Sequence, residues 1–220
     1  VNPHPVIDAV FVLVILLDLM MLATSRIATC IRIFAMQSAL LAVLSVAGEA
    51  VSGSVPGPHA CLVAASAIGL KALLIPGVLL RIMRTGEIHR EVEPLIGFTA
   101  SVLLGAGIIV GSFAVAVRLP LPSPPLSDLL LPSAIATVAI GQLILVSRVK
   151  AITQVVGYLL LENGIFIFGL MLLRQTPLLV ELAILLDLFV GVFIMGIVVY
   201  HIRRTFDHMD THLLDALKEP

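Results

Sequence analysis

GYLLLENGIFIFGLMLL, residues 157–173, and PLLVELAILLDLFVGVFIMGIVVYHIRR, residues 177–204, are separated only by Arg174, Gln175 and Thr176. Each run is long enough to cross a hydrocarbon layer of roughly 30 Å as a helix, and neither alternates as a barrel strand would. They are therefore read as two membrane-spanning helices, with three carboxylates inside them: Glu162, Glu181 and Asp187. A charged side chain at the centre of such a helix costs roughly 2.5–3.5 kcal/mol on insertion scales, so its presence marks a functional group or one satisfied by a partner. The stretch from Arg148 to Arg204 is thus the candidate functional element.

Composition carries the same reading to the rest of the chain. Of its 220 residues 60% are hydrophobic and only 12% charged, which excludes a water-soluble domain built round one core and indicates an integral membrane protein. The net charge is −1, and the basic residues are scattered singly or in pairs, so there is no basic face to hold nucleic acid. The expected fold class is all-α, with seven transmembrane helices at about residues 6–24, 32–51, 60–82, 93–116, 128–147, 152–173 and 177–202. The opening VNPHP has no positive n-region and no cleavage site after a short apolar run, so the first span is expected to stay in the mature protein. Cys30 and Cys61 fall too far apart across a membrane to bridge, and both are expected reduced.

Alternating spans place Arg26, Arg32, Arg81, Arg84, Arg90, Arg148, Lys150, Arg203, Arg204 and Lys218 on one side, with only Arg118 and Arg174 opposite. By the positive-inside rule the amino terminus is outside and the carboxyl tail, 205–220, is cytoplasmic. The whole of 1–220 is one membrane domain, in which the stiff proline-rich loop RLPLPSPPLSD separates four helices in 1–120 from three in 128–204.

Polar residues within the spans carry the functional reading. Asp18 lies deep in the first span and is expected to be tied to a neighbouring helix or to snorkel to the inner surface, with a hydrated interior as the alternative. Lys71 lies near the middle of the third span and Pro76 follows five residues later. Proline has no N–H for the carbonyl of Ala72, so a loosened helix beside a buried cation points to a wet cavity, against a packing kink with Lys71 in a salt bridge. Gly107 and Gly111 form a GxxxG pair that would let another helix approach closely, and Gln142 is the polar residue of the fifth span.

The run SRVKAITQVVGYLLLENGIFIFGL, the following PLLVELAILLDLFVGVFIMGIVVYHIRR and the earlier GLKALLIPGVLLRIMR together resemble the HyfE-type membrane subunit, component E, of hydrogenase-4 and related formate hydrogenlyase complexes. The resemblance covers essentially the whole chain. The last three spans are also similar to the three-helix NuoK subunit of respiratory complex I and its MrpC relative in cation/proton antiporters. Gly157 and Asn163 match that family's glycine and asparagine, and Asp187, four residues before Gly191, matches its last-helix glutamate. Glu162 departs from the pattern, lying three residues beyond the usual first glutamate, so the carboxylate reaches a similar face at a shifted depth.

The resemblance implies a proton-translocation subunit of a complex I-related, energy-converting complex in the bacterial or archaeal inner membrane. Its expected partners are lipid, antiporter-like and other membrane subunits, and a soluble electron-transfer arm. The chain itself is expected to be non-catalytic, with no cofactor and no metal. The residues agree in lacking a nucleophile with a matched base or a phosphate-cradling loop. His208 and His212, spaced i and i+4 beside Asp207 and Asp210, are read as a polar tail rather than a metal site. Counting about 1.5 Å per residue, Lys71, Glu162 and Asp187 fall near the bilayer midplane and Glu181 lies about 9 Å nearer the outside, a lateral set suited to proton exchange. The alternatives are a scaffold subunit whose buried charges join helices, a subunit of a cation/proton antiporter-like assembly, and a self-contained transporter, which the absence of an internal repeat disfavours.

Overall fold

The computed structural model describes residues 5–51, 65, 67–85, 95–119 and 127–172. Of the two compact units in the chain, 1–183 and 184–220, all of these belong to the first. The described residues are helical apart from short connections, as an apolar chain requires where no water can satisfy the backbone. The helices are α1 (Pro5–Ala23), α2 (Ile27–Val51), a π-helical segment π1 (Ala67–Leu74) running into α3 (Ile75–Thr85), α4 (Phe98–Ala116), α5 (Leu130–Ser147) and α6 (Ala151–Leu172). Five of them, α1, α2, α4, α5 and α6, are long and apolar enough to cross a membrane. The expected seventh span lies outside the described residues.

Most boundaries fall within a residue or two of expectation; the exceptions include α4, which begins at Phe98 rather than near 93, and α2. The latter begins at Ile27 rather than near 32, because the Arg26 carbonyl already accepts from the N–H groups of Thr29 and Cys30 at 3.0 and 3.1 Å. Arg32 therefore sits on the helix, exposed, where its long side chain can reach outward.

Pro76 is the second residue of α3, at the changeover from π to α. Its missing N–H falls at the changeover, where the helix's hydrogen-bonding pattern shifts in any case. Lys71 is on the π side of this junction. Such segments are rare and occur often at functional sites.

α5 and α6 form the tightest seam. A methyl group added to Gly141 would lie 2.5 Å from the backbone nitrogen of Leu161, one on Gly157 2.8 Å from that of Leu145, and one on Gly164 2.6 Å from that of Val138. The two backbones are thus in direct contact, which only glycine permits. In contrast, no described atom lies within 4 Å of a methyl placed on Gly107 or Gly111, so the GxxxG pair of α4 faces away from the described helices. The glycine that seats α4 is Gly105, against Leu22 and Leu19 of α1.

The core is shared by helices from both ends of the described chain: Ile7, Phe11 and Val14 of α1, Leu41 and Leu44 of α2, Leu130 and Ala134 of α5, Ile167 and Leu170 of α6. The outward faces are equally apolar, with Val6, Val12, Leu16 and Met20 exposed on α1 and Leu103, Val110 and Val115 on α4. That is the surface a bilayer solvates.

Candidate functional site

The interior of this bundle holds two groups of charged and polar side chains, which meet α6 at consecutive residues. Lys71, from π1, extends to α6 and places its Nζ 3.2 Å from Glu162 Oε1, with both side chains only 4% exposed. On its other side the ammonium faces the ring of Phe166 at 5.8 Å from the centroid. Glu162 and Phe166 are i and i+4, so one turn of α6 offers the cation a carboxylate and an aromatic face. Two opposite charges this close in a low dielectric offset much of each other's desolvation cost, and removing either would strand the other.

The second group begins at the next residue of α6. Asn163, buried, donates from Nδ2 to Gln37 Oε1 at 3.2 Å and to Ser38 Oγ at 3.0 Å, both on α2. Gln37 in turn donates from Nε2 to Asp18 Oδ1 of α1 at 2.8 Å. The other oxygen of Asp18 accepts from Thr137 Oγ1 of α5 at 2.7 Å. Asp18 is 0% exposed, so it is tied to neighbouring helices and does not snorkel. Donors on two helices point at it, and the Asn163-to-Gln37-to-Asp18 chain runs in one direction, each bond polarising the next.

Arg148 closes the bundle at the end where α1 meets α2 and α5 meets α6. Although it lies in a connection, it is 2% exposed: Nη2 donates to the Leu22 carbonyl at 3.1 Å, and the guanidinium lies 4.6 Å from the Phe98 ring centroid. A cation at the carboxyl end of α1 meets the negative end of that helix's dipole. The backbone N–H of Leu95 also donates to the Ser147 carbonyl at 3.0 Å, so three connections are joined there.

Of the residues singled out from the sequence, Lys71 and Glu162 are brought together and Pro76 stands five residues along from the lysine. Glu181, Asp187, Cys61, His208 and His212 lie outside the described residues. Among the described residues no cluster of three or more His, Cys, Asp or Glu side chains could hold a metal ion. Gln142 is exposed, and the polar groups that α5 turns inward are Ser133, Thr137 and Ser147. Gln37, Ser38 and Thr137 carry no signal as single residues. Their only sequence trace is that neutral polar side chains interrupt otherwise apolar spans.

No protein-family model matches the chain, and no solved structure matches it. Among curated proteins it is 32% identical over 153 residues to Rv0085, an uncharacterized protein of Mycobacterium tuberculosis, covering 69% of this chain and 68% of that one. It is 30% identical over 154 residues to hydrogenase-4 component E of Escherichia coli K12, covering 70% of this chain and 71% of the relative, and equally similar to the component of that name in Shigella flexneri.

Proposed function

The chain belongs to the hydrogenase-4 component E family, and from that premise we propose that it is a non-catalytic membrane subunit of a hydrogenase-4-like, complex I-related complex, in which it forms part of a proton-translocation path. The observation that carries the proposal is the buried Lys71–Glu162 pair, 3.2 Å apart, with its lysine on a π-helical segment. A carboxylate can take up and release a proton while a neighbouring ammonium stabilises its anionic form, and a change in their separation alters that balance. A loosened helix next to the pair supplies a place where separation and hydration can change.

In this reading Glu162 and Lys71 are the proton-handling core, the sequence offers Asp187 and Glu181 as further proton-binding carboxylates, and Pro76 sets the helix break. The reading takes the chain to have seven spans in a bacterial inner membrane, with the amino terminus outside and the tail in the cytoplasm. Antiporter-like membrane subunits and a soluble electron-transfer arm complete the complex in this reading.

Glu162→Gln keeps the shape of the side chain and removes its ability to titrate. The expected outcome, measured on the intact complex in sealed vesicles, is an assembled complex that passes electrons but moves fewer protons per electron or turns over more slowly under coupled conditions. An assembled variant with wild-type stoichiometry and rate would remove Glu162 from the path and favour a scaffold in which the pair only joins helices.

A further inference from the structure

We propose that Asp18 is a second proton-binding group of this subunit, linked through Gln37 to Asn163, the residue next to Glu162. The inference rests on the proton-path reading above and extends it to α1, α2 and α5.

Three observations carry it. First, the group is a carboxylate where a tie between helices needs none. An asparagine at position 18 could hold both Gln37 and Thr137 through its amide without placing a charge among Phe11, Val14, Met21 and Leu22, and a charge in such surroundings is costly. Second, its partners suit both protonation states. As an anion Asp18 accepts from Gln37 Nε2 at 2.8 Å and Thr137 Oγ1 at 2.7 Å. When one proton, delivered by water, binds Oδ2, the Thr137 hydroxyl can rotate to accept from the new O–H and turn its own hydrogen to the backbone carbonyl one turn earlier in α5. When the proton leaves, again to water, the rotation reverses. No heavy atom needs to move, and no other species is consumed.

Third, the position links two ends. Towards the middle of the bundle, Gln37 passes the polarisation of Asp18 to Asn163, the residue after Glu162, at 3.2 Å. Towards the connections, Arg148 holds the carbonyl of Leu22, four residues or about 6 Å along α1 from Asp18. Asp18 therefore stands between a buried guanidinium near the helix ends and the ion pair on α6. Gaining or losing a negative charge there is felt along an oriented pair of amides as far as Asn163, beside Glu162 in the chain.

The test is infrared difference spectroscopy of the intact, membrane-embedded complex between oxidised and reduced states, together with proton stoichiometry in vesicles. Wild type is expected to show a protonated-carboxyl C=O band that is lost in Asp18→Asn, with fewer protons moved per electron. In Thr137→Val, which keeps the volume and removes the hydroxyl, the same band is expected to shift. That variant decides the matter should Asp18→Asn not assemble. Unchanged carboxyl bands in assembled Asp18→Asn, or in Thr137→Val, overturn the inference. Glu162→Gln run alongside separates the two readings: a lowered stoichiometry in Glu162→Gln with wild-type behaviour in Asp18→Asn rejects Asp18 alone, whereas wild-type stoichiometry in Glu162→Gln rejects the path through α6.

Discussion

Glu162 and Asp18 are both buried carboxylates, yet the protein stabilises them by opposite means. Glu162 faces a full positive charge, the Lys71 ammonium at 3.2 Å, carried on a π-helical segment. Asp18 is instead solvated by neutral dipoles, an amide from α2 and a hydroxyl from α5, held on regular α-helices. The first arrangement is strong at short range and sensitive to displacement. The second spreads its stabilisation over donors that can turn in place. A charge pair can be broken by moving one helix, whereas a dipole cage is altered by rotating side chains, so neighbouring carboxylates can respond to different events.

The comparison can be broken most severely at Lys71. Lys71→Met strands Glu162 without its cation, and breaking a buried pair on one side typically costs about 3–5 kcal/mol. Loss of assembly or a large drop in the thermal midpoint of the purified complex is expected. The double variant Lys71→Met/Glu162→Met should regain much of the stability while remaining uncoupled.

Removing one dipole from the other cage has a smaller effect. Gln37→Leu takes away the donor to Asp18 Oδ1 and the acceptor for Asn163, and a buried polar group deprived of its partner costs about 1–3 kcal/mol. The complex should assemble with a lowered midpoint, and a Gln37→Leu/Asp18→Leu double variant should lose less than the sum of the single ones. Additivity would mean that the two side chains are not energetically joined. The smallest expected effect is at Phe166. Its ring is 5.8 Å from Lys71 Nζ, the outer reach of a cation–ring attraction, so Phe166→Leu should lose only about 0.5–1 kcal/mol from that source, read as a slight fall in midpoint with coupling retained.

The spans are legible in the sequence because hydrocarbon thickness dictates the length of an apolar run, and α1, α5 and α6 begin and end close to where such runs do. Lys71 and Glu162 are legible as candidates because an intramembrane charge is costly wherever it points. The cage round Asp18 is a different matter. Gln37 and Thr137 are neutral, belong to two helices and are brought to α1 only by tertiary packing. Nor does hydrophobic periodicity say which way they face, because lipid and core are both apolar and the helices have no polar side. Glycine spacing has the same ambiguity: Gly107 and Gly111 have the familiar separation and face away from the described helices, while Gly141, Gly157 and Gly164, without that separation on one helix, hold α5 to α6.

That seam also fixes which parts of the molecule can slide. Each of its three glycines has a neighbouring backbone where a side chain would start, so the seam holds only in the register that sets glycine against main chain. α6 cannot slip past α5 like a piston. In kinematic terms, if the proposed path needs Lys71 and Glu162 to part, α6 is the fixed jaw of the clamp and the stroke falls to the π-helical segment that carries Lys71.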